Sequence, residues 1–235
     1  LGANSTLLVL DNRIEGSRYA LRFSIGVVVD GGAIIVKGNT LRVTENNGAG
    51  SAICVYAVVV KNGGYFDVEN NAMSGVIGVW FVNAATVSSA GLLRVAECTF
   101  FGRKEFFDPA LVYLSDSLTL QGGAQWRVEG NKVSAALVLS IANAQHKIQL
   151  SDSGTTVMLA NNRQVDDTYP FADLDQSNTI VAPPAKFVVG CNVQGGEEVS
   201  YDDVFPEEVE VFKCGTCNDD AACYMPGRSR WTAAR

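Results

Sequence analysis

The residues that could support hydrolytic chemistry are few and lie far apart in the chain. The pairs of adjacent aspartates include Asp166–Asp167 and Asp202–Asp203, and the single histidine is His146. Glycoside hydrolysis needs two carboxyl groups, one protonated and one that activates water. Neither acidic pair falls in the repeated strands, and His146 is better interpreted as a satisfied or exposed residue than as a general base. We expect a non-catalytic protein without a cofactor; the alternative is a polysaccharide lyase or glycoside hydrolase.

Two groups of charged residues are candidates for ligand contact. Asp67, Arg94 and Arg127 hold equivalent places in successive sequence segments, which would put one carboxylate beside two guanidiniums. Such a row could bind an anion or a sugar, but charge pairing within the row explains it equally simply, and we favour that interpretation. The second group, Arg103 and Lys104, lies in FFGRKEFFDP, where charges beside aromatic rings suggest a recognition loop. The alternative is that these phenylalanines only hold the loop in place.

The cysteines favour disulfides over metal binding. Four of the six are disulfide candidates, namely Cys191, Cys214, Cys217 and Cys223. The pair Cys214-x2-Cys217 has neither a second such pair nor a nearby histidine, so we predict no zinc site. Cys54 and Cys98 lie in apolar segments and are interpreted as buried free thiols. Asn4 begins the only N-glycosylation sequon, Asn-Ser-Thr, and is a candidate modification site unless the match arose by chance.

A repeated pattern must position these residues. Five segments open with a pair of small residues, reach a hydrophobic residue and continue to a polar residue three places later; a sixth begins at Ser5. The hydrophobic residues recur at intervals of 27 to 33 residues, and they are Val9, Val36, Val68, Val95, Val128 and Leu159. The residues two places earlier are also apolar, whereas the residues between are mixed. This alternation predicts strands whose repeated hydrophobic residues point inward.

The polar column indicates how the strands stack. Its members are Asn12, Asn39, Asn71, Cys98, Asn131 and Asn162. If successive coils lie about 4.8 Å apart, stacked amides can bond to the coils above and below. With about three short strands per coil and no helical pattern, the sequence predicts an all-β fold, a parallel β-helix of about five to six coils. A β-sandwich is the alternative, but it does not explain the matched columns.

Composition and charge divide the chain. Apolar residues make up 47% and the net charge is −7, which argues against a disordered chain and against a nucleic-acid partner. Residues 1–165 hold 12 acids and 13 bases, whereas residues 166–235 hold 13 acids and 5 bases. A further apolar column lies five places after each repeated hydrophobic residue and holds Ile14, Leu41, Met73, Phe100 and Val133. Because Gln164 interrupts this column at the boundary, we predict repeats over 1–165, a linker or end-cap over 166–190 and an irregular, acidic, cysteine-containing tail over 191–235.

The chain resembles the trypanosome dispersed gene family of surface proteins. The resemblance rests on the V-x-x-N corners, the GG strand starts and the tail CNVQGGEEVSYDDVFPEEVEVFKCGTCNDDAACYMPGR. It implies a pectin-lyase-like β-helix from a large, glycosylated, membrane-anchored protein with an adhesive role. We therefore expect a fragment displayed at the cell surface, anchored only through other parts of its parent. The expected partner is a host matrix protein or a glycan; a structural spacer without a ligand is the further alternative.

Overall fold

The chain forms a parallel β-solenoid, and the predicted all-β fold class is confirmed. The computed structural model describes residues 1–24, 26–44, 50–104, 108–141, 147–174, 179–199 and 210–212. These parts contain strands and turns but no helix, and hence no helix long and apolar enough to cross a membrane. The strands complete about six turns.

Each of the first six coils contributes four strands. The first three coils contain β1 (Thr6–Leu10), β2 (Arg13–Gly16), β3 (Tyr19–Phe23), β4 (Val28–Asp30), β5 (Ala33–Lys37), β6 (Thr40–Val43), β7 (Ser51–Tyr56), β8 (Val59–Lys61), β9 (Tyr65–Glu69), β10 (Ala72–Gly75), β11 (Ile77–Val82) and β12 (Ala85–Val87). The next three contain β13 (Leu92–Ala96), β14 (Thr99–Gly102), β15 (Ala110–Leu114), β16 (Leu118–Leu120), β17 (Gln125–Glu129), β18 (Lys132–Ser134), β19 (Leu137–Ile141), β20 (Ile148–Leu150), β21 (Thr156–Ala160), β22 (Arg163–Gln164), β23 (Ala172–Asp173) and β24 (Thr179–Val181). A seventh coil begins with β25 (Lys186–Gly190), β26 (Val193–Gln194) and β27 (Glu197–Glu198), and β28 (Glu210–Phe212) adjoins β25.

Corresponding strands of successive coils pair in parallel and build four sheets. Sheet A runs from β1 through β5, β9, β13, β17, β21 and β25 to β28, and sheet B runs from β2 to β26 with β27 added antiparallel. Sheet C runs from β3 to β23 and sheet D from β4 to β24. The predicted count of about three strands per coil is therefore wrong. The apolar run over 52–60 divides at Ala57, whose φ of 45° turns the chain from sheet C into sheet D.

The inward columns form one continuous core. The predicted inward residues of sheet A align in register, so that Val36 pairs with Val68 and Val95 with Val128, and all four are at most 1% exposed. Inward side chains of sheet C, such as Ile53 and Val79, belong to the same core. Full burial of each such side chain contributes roughly 1.5–3 kcal/mol. Only the first coil departs from this pattern, because Leu7 is 40% exposed there.

The corner between sheets A and B repeats in every coil. The residue before each of the six members of the polar column, and the residue before Asn192 in the seventh coil, has a φ between 52° and 70°. These seven residues are Asp11, Gly38, Asn70, Glu97, Gly130, Asn161 and Cys191. The left-handed conformation thus belongs to the residue before the column, not to the stacked Asn itself. Glycine occupies this place in two coils, since it adopts positive φ without steric cost.

The polar column forms a hydrogen-bonded file along the solenoid. The Asn39 Oδ1 accepts from the backbone N–H of Asn12 at 2.9 Å and from its side-chain amide at 3.1 Å. Asn131 and Asn162 repeat this pair of bonds at 3.1 and 2.9 Å. Each amide nitrogen also donates to backbone carbonyls, which satisfies polar groups that the fold buries. The sequence placed these side chains in one file, and the file is present.

The solenoid continues beyond the boundary predicted at residue 165. Strand β25 pairs in parallel with β21, and Asn192 adds another member to the polar file by accepting from Asn162 at 2.9 Å. Gln164 does not end the repeats, because its buried amide nitrogen donates to the carbonyls of Ala136 and Tyr169 at 2.9 and 2.8 Å. A polar residue is tolerated in the apolar column where backbone acceptors lie within reach.

Candidate functional site

The predicted row of charges lies on the outer side of sheet A, where it forms an ion-pair cluster. In-register pairing of β9, β13 and β17 stacks Asp67, Arg94 and Arg127. The Arg94 guanidinium lies 3.2 Å from the Asp67 carboxylate and 3.0 Å from that of Glu129. It also lies 3.5 Å from Glu69. The favoured interpretation, charge pairing between coils, therefore describes Asp67 and Arg94.

The electrostatics of this cluster reflect partial burial. Burial raises the pKa of Asp67, and Arg94 only partly opposes this effect. For Glu69, burial acts in the same direction, but Lys37 at 2.8 Å and Arg94 outweigh it and hold the pKa below its usual value. The Arg94 side chain is 20% exposed, so these charges interact through protein more than through bulk water. The cluster is largely neutralised by its own members.

Arg127 continues the row but does not join the ion pairs. Its Nε and Nη2 donate to the Gln125 Oε1 at 3.1 and 2.7 Å, on the same strand. Within the part of the chain that the structure describes, no carboxylate oxygen lies within 4.0 Å of this guanidinium. Arg127 therefore stays the member of the predicted row that is best able to contact an anion.

The second predicted group is not part of the row. The Arg103 Nη2 donates to the carbonyl of Val43, which ties this side chain to β6 instead of presenting it fully to solvent. Lys104 is exposed, lies 3.5 Å from Asp108 and places its ammonium 5.5 Å from the ring centroid of Tyr169. Residues 105–107 of the predicted recognition loop lie outside the described residues.

The outer side of sheet C carries a group that the sequence did not reveal, here called the aromatic face. It consists of the rings of Tyr19, Tyr56, Trp80 and Tyr113 together with Arg18 and Arg22. The centroids of Tyr19 and Trp80 are 6.4 Å apart, and those of Trp80 and Tyr113 are 6.3 Å apart in edge-on packing. Three rings thus follow one another across four coils.

Strand alternation positions these rings. In β11, Val79 and Phe81 point into the core and are at most 1% exposed, so Trp80 between them points outward. Register then aligns Trp80 with Cys54 on one side and with Tyr113 on the other. Both rings are half-buried, which leaves part of each ring accessible to a ligand.

The guanidiniums occupy one end of the aromatic face. Arg22 lies 5.3 Å from the Tyr19 centroid and 4.9 Å from that of Tyr56, and Arg18 lies 5.3 Å from the Tyr19 ring. These are cation–π distances. Cys54 lies on the same side of sheet C yet is fully buried, and burial raises its pKa to about 11 although Arg22 and Arg18 oppose the shift. The thiol is therefore protonated at neutral pH and unreactive.

One signal in the sequence could have identified this face. The residue columns predicted from the sequence belong to sheets A and B and to the corner between them, and none of them lies in sheet C. Leu21, Ile53 and Val79 align in one inward column of sheet C. Because side chains alternate along a strand, the residues that follow this column point outward, and they include Trp80 and Tyr113. Aligning the third strand of each coil would have shown it.

The remaining sequence candidates are distributed as follows. Cys54 and Cys98 are free and buried, as expected for structural thiols. Cys191 is disulfide-bonded, and the other three disulfide candidates lie outside the described residues, as do His146 and the acidic pair 202–203. Asn4 is exposed at a corner with a φ of 63°. The described segments hold no group of three or more residues arranged to bind a metal ion.

The chain matches no protein-family model, no curated protein and no solved structure. The resemblance to the dispersed gene family therefore stays a prediction, and any function must be argued from the two outer faces themselves.

Proposed function

We propose that this chain is a non-catalytic, ligand-displaying segment of a cell-surface protein, which binds a matrix protein or a glycan through the aromatic face. The observation that carries the proposal is the line of Tyr19, Trp80 and Tyr113 with two arginines at one end. Tryptophan, tyrosine and arginine dominate the energetics of binding surfaces, because they offer a large contact area and polar groups together.

The geometry of the solenoid favours this face over the charged row. Arg94 already pairs with three carboxylates, so a ligand would have to break these contacts to reach it. Among the described residues, the rings of Trp80 and Tyr113 have no ion pair or hydrogen bond that a ligand would have to break, and they are held on rigid, paired strands. A rigid surface loses little conformational entropy when it binds.

The same proposal includes the setting that the family resemblance implied. A chain displayed outside the cell would carry disulfides near Cys191 and an accessible glycosylation sequon at Asn4. Anchoring in this proposal belongs to parts of the parent protein other than this chain. Mass spectrometry of the protein purified from its native source would test both modifications.

A binding array tests the proposed function. The 235-residue chain is applied to immobilised matrix proteins and glycans, beside a Trp80→Ala/Tyr113→Ala variant. The matched control is Tyr65→Ala, which removes a ring that is 37% exposed on sheet A. We expect selective binding that the double variant loses and the control keeps, with both variants folded by circular dichroism. Binding that is absent, or that the double variant retains in full, would contradict the proposal.

The enzymatic alternative has its own test. Wild-type chain is incubated with acidic polysaccharides, and reducing ends and unsaturated products are measured. Turnover that disappears in Asp166→Asn would replace the binding proposal with a hydrolase or lyase. In the structure, Asp166 accepts from the backbone N–H of Ala135 at 2.8 Å, a contact that supports a corner. A spacer without a ligand predicts that neither assay responds to any surface variant.

A further inference from the structure

We infer that the ligand of the aromatic face is a linear anionic glycan, whose sulfate or carboxylate groups are bound by Arg18 and Arg22. This inference rests on the proposed function and specifies its ligand. It follows from three features of the face: arginines with no carboxylate partner among the described residues, rings that follow one another across the coils, and opposite charges at the two ends.

The first feature is the state of the two guanidiniums. Both side chains are exposed, and no carboxylate oxygen in the described part of the chain lies within 4.0 Å of either. Arg13 and Arg42, by contrast, pair with Glu15 at 3.0 and 4.0 Å. In a protein with a net charge of −7, two neighbouring arginines whose described surroundings hold no acidic partner form a local site for an anion.

The second feature is how the guanidiniums are held. Arg22 contacts the rings of both Tyr19 and Tyr56, within 5.3 Å of each centroid. Stacking on a ring uses the planar face of a guanidinium and leaves its edge of N–H donors available. That edge matches the paired oxygens of a sulfate or carboxylate group, and it binds them in bidentate fashion. The tyrosines thus orient the arginines for anion binding.

The third feature is the line along which a ligand would lie. Arg22, Cys54, Trp80 and Tyr113 share one column of sheet C. The ring of Tyr19, from β3, approaches that of Trp80, from β11, with β7 between the two strands. Coils are about 4.8 Å apart, so the column offers successive contacts to a chain that runs parallel to the solenoid axis. The C–H faces of sugar rings can pack on Trp80 and Tyr113, while anionic substituents reach the arginines.

The far end of the column sets the polarity. The exposed Asp173 follows Ser140 in the same column. The pKa of Tyr113 is raised mainly by burial of its ring and further by the negative charge of Asp173. A carboxylate there repels an anion. The anionic groups should therefore concentrate at the arginine end, and uniformly charged polymers should bind over a shorter length than the face offers. This also disfavours a strongly acidic peptide that would cover the whole face.

Three probes of matched length test the inference with the complete chain: a heparin oligosaccharide with sulfates and carboxylates, a hyaluronate oligosaccharide with carboxylates only, and neutral dextran. We expect both anionic probes to bind more tightly than dextran, and affinity to fall as salt is raised. Arg18→Gln and Arg22→Gln should each weaken anionic binding about fivefold, the upper range for an exposed charge pair. Arg42→Gln is the matched control and should change nothing.

The outcomes separate this inference from the proposed function. Equal affinity for heparin and hyaluronate oligosaccharides assigns recognition to the carboxylate, and a preference for heparin assigns it to sulfate. The inference is overturned if dextran binds as tightly as the anionic probes, or if neither arginine variant changes the affinity. In both cases the proposed function still holds as long as binding depends on Trp80. Capture of a matrix protein but of no glycan does the same. Absence of all binding overturns both.

Discussion

Arg94 is the residue on which the outer side of sheet A depends. One guanidinium lies within 3.5 Å of carboxylates from β9 and β17, so it links three successive coils. Each partly buried charge has lost contacts with water, and the opposite charge compensates for this loss. Removing one partner therefore leaves the other charge without compensation. The cluster therefore stabilises the stacking of the three coils. Removal of Arg94, the cation at its centre, should lower the free energy of unfolding more than loss of an exposed ion pair.

Replacing Arg94 with glutamine should lower the free energy of unfolding by about 2 kcal/mol, less than for a fully buried pair because water still reaches the cluster. The variant leaves Asp67, Glu69 and Glu129 close together without their shared cation. Urea unfolding measures the loss. The matched control is Arg13→Gln, since Arg13 pairs only with Glu15 and its side chain is 76% exposed. Equal losses in the two variants would show that the cluster does not stabilise the coils.

Asp67→Asn should keep or raise stability at pH 7, unlike most changes to a paired charge. Burial raises the pKa of Asp67 above 3.8, so the folded state disfavours its charged form relative to the unfolded state. That penalty is complete above the folded-state pKa and disappears as pH falls to 3.8 and below. Stability of wild type and Asp67→Asn, measured by urea unfolding between pH 7 and pH 3, should therefore converge on the acidic side.

Glu69→Gln is the control, because it should change the stability at pH 7 in the opposite direction to Asp67→Asn. The pKa of Glu69 is held below 4.5, with burial opposed by Lys37 and Arg94. Its carboxylate contributes stability that is present above pH 4.5 and is lost as pH falls through the folded-state pKa. The variant should be less stable than wild type at pH 7 and equal to it in strong acid. Two variants with the same sign would contradict this assignment of the two carboxylates.

At the scale of strands and corners, Cys98 interrupts the asparagine file. Its Sγ accepts from the Asn71 amide at 3.9 Å, where other coils place an Oδ1 at about 3 Å. Its own backbone N–H still donates to the Asn131 Oδ1 at 2.9 Å. Burial raises the pKa of this thiol to about 11, so it remains an uncharged, weak hydrogen-bonding group. The file therefore has a member in every coil, but its hydrogen bonds are weaker at Cys98.

Cys98→Asn should raise the free energy of unfolding by about 1 kcal/mol, because the amide restores two bonds to Asn71. The acceptors for its nitrogen are in place, since the thiol already lies 3.2 Å from the Ala96 carbonyl and 3.6 Å from that of Val68. Cys98→Ala, which adds no polar group, should lower stability. Thermal unfolding of the three proteins under reducing conditions ranks them. An asparagine variant less stable than the alanine variant would contradict the expected repair.

Asn131→Ala should lower the free energy of unfolding by about 1–3 kcal/mol, most of it from partners that remain buried without a bond. The side chain accepts from Cys98 and donates to Asn162 and to the carbonyl of Val95. Asn12→Ala is the matched control at the exposed end of the same file, and it should cost less. Similar losses in the free energy of unfolding at both positions would mean that burial does not determine how much a residue of the file stabilises the fold.

Particular residues show how much of this fold the sequence determines. The columns of Val36 and Asn39 repeat with little variation, so parallel stacking and in-register pairing could be predicted from them. The turn at Ala57 could not, because alanine rarely has positive φ and carries no turn signal. Gln164 was misleading for a related reason: its burial depends on the carbonyls of Ala136 and Tyr169, which a repeat pattern does not show.

The candidate sites follow the same division. The shared column of Asp67 and Arg94 is a property of the repeat and could be predicted. The participation of Glu69 and Glu129 could not, since they belong to the neighbouring outward column and reach Arg94 only through side-chain conformation. The aromatic face required alignment of strands whose spacing from the repeated valine varies between coils. Contacts between columns are therefore the information that sequence periodicity lacks.

At the scale of the whole molecule, the solenoid is a scaffold with separate outer surfaces. Each coil contacts mainly its neighbours, so stability is close to a sum of coil and interface contributions. Sheet A presents a neutralised charge cluster, and sheet C presents the aromatic face. The strands of the charge cluster, and β7, β11 and β15 of the aromatic face, are fixed by pairing on two sides, whereas β3 is the edge strand of sheet C. This separation lets outward residues change without disturbing the core, which is why the variants proposed for the aromatic face should remain folded.

The first coil should exchange its amide hydrogens faster than the middle coils. In β1, Leu7 is 40% exposed, whereas the equivalent residues Ile34 and Phe66 are at most 3% exposed. Less apolar burial lowers the free energy of local opening, and a solenoid can open from an end without unfolding its centre. Hydrogen exchange measured by mass spectrometry should give protection that rises from β1–β3 to β11–β15. Because every strand is hydrogen-bonded, uniform protection across these coils would indicate that the molecule opens only as one cooperative unit.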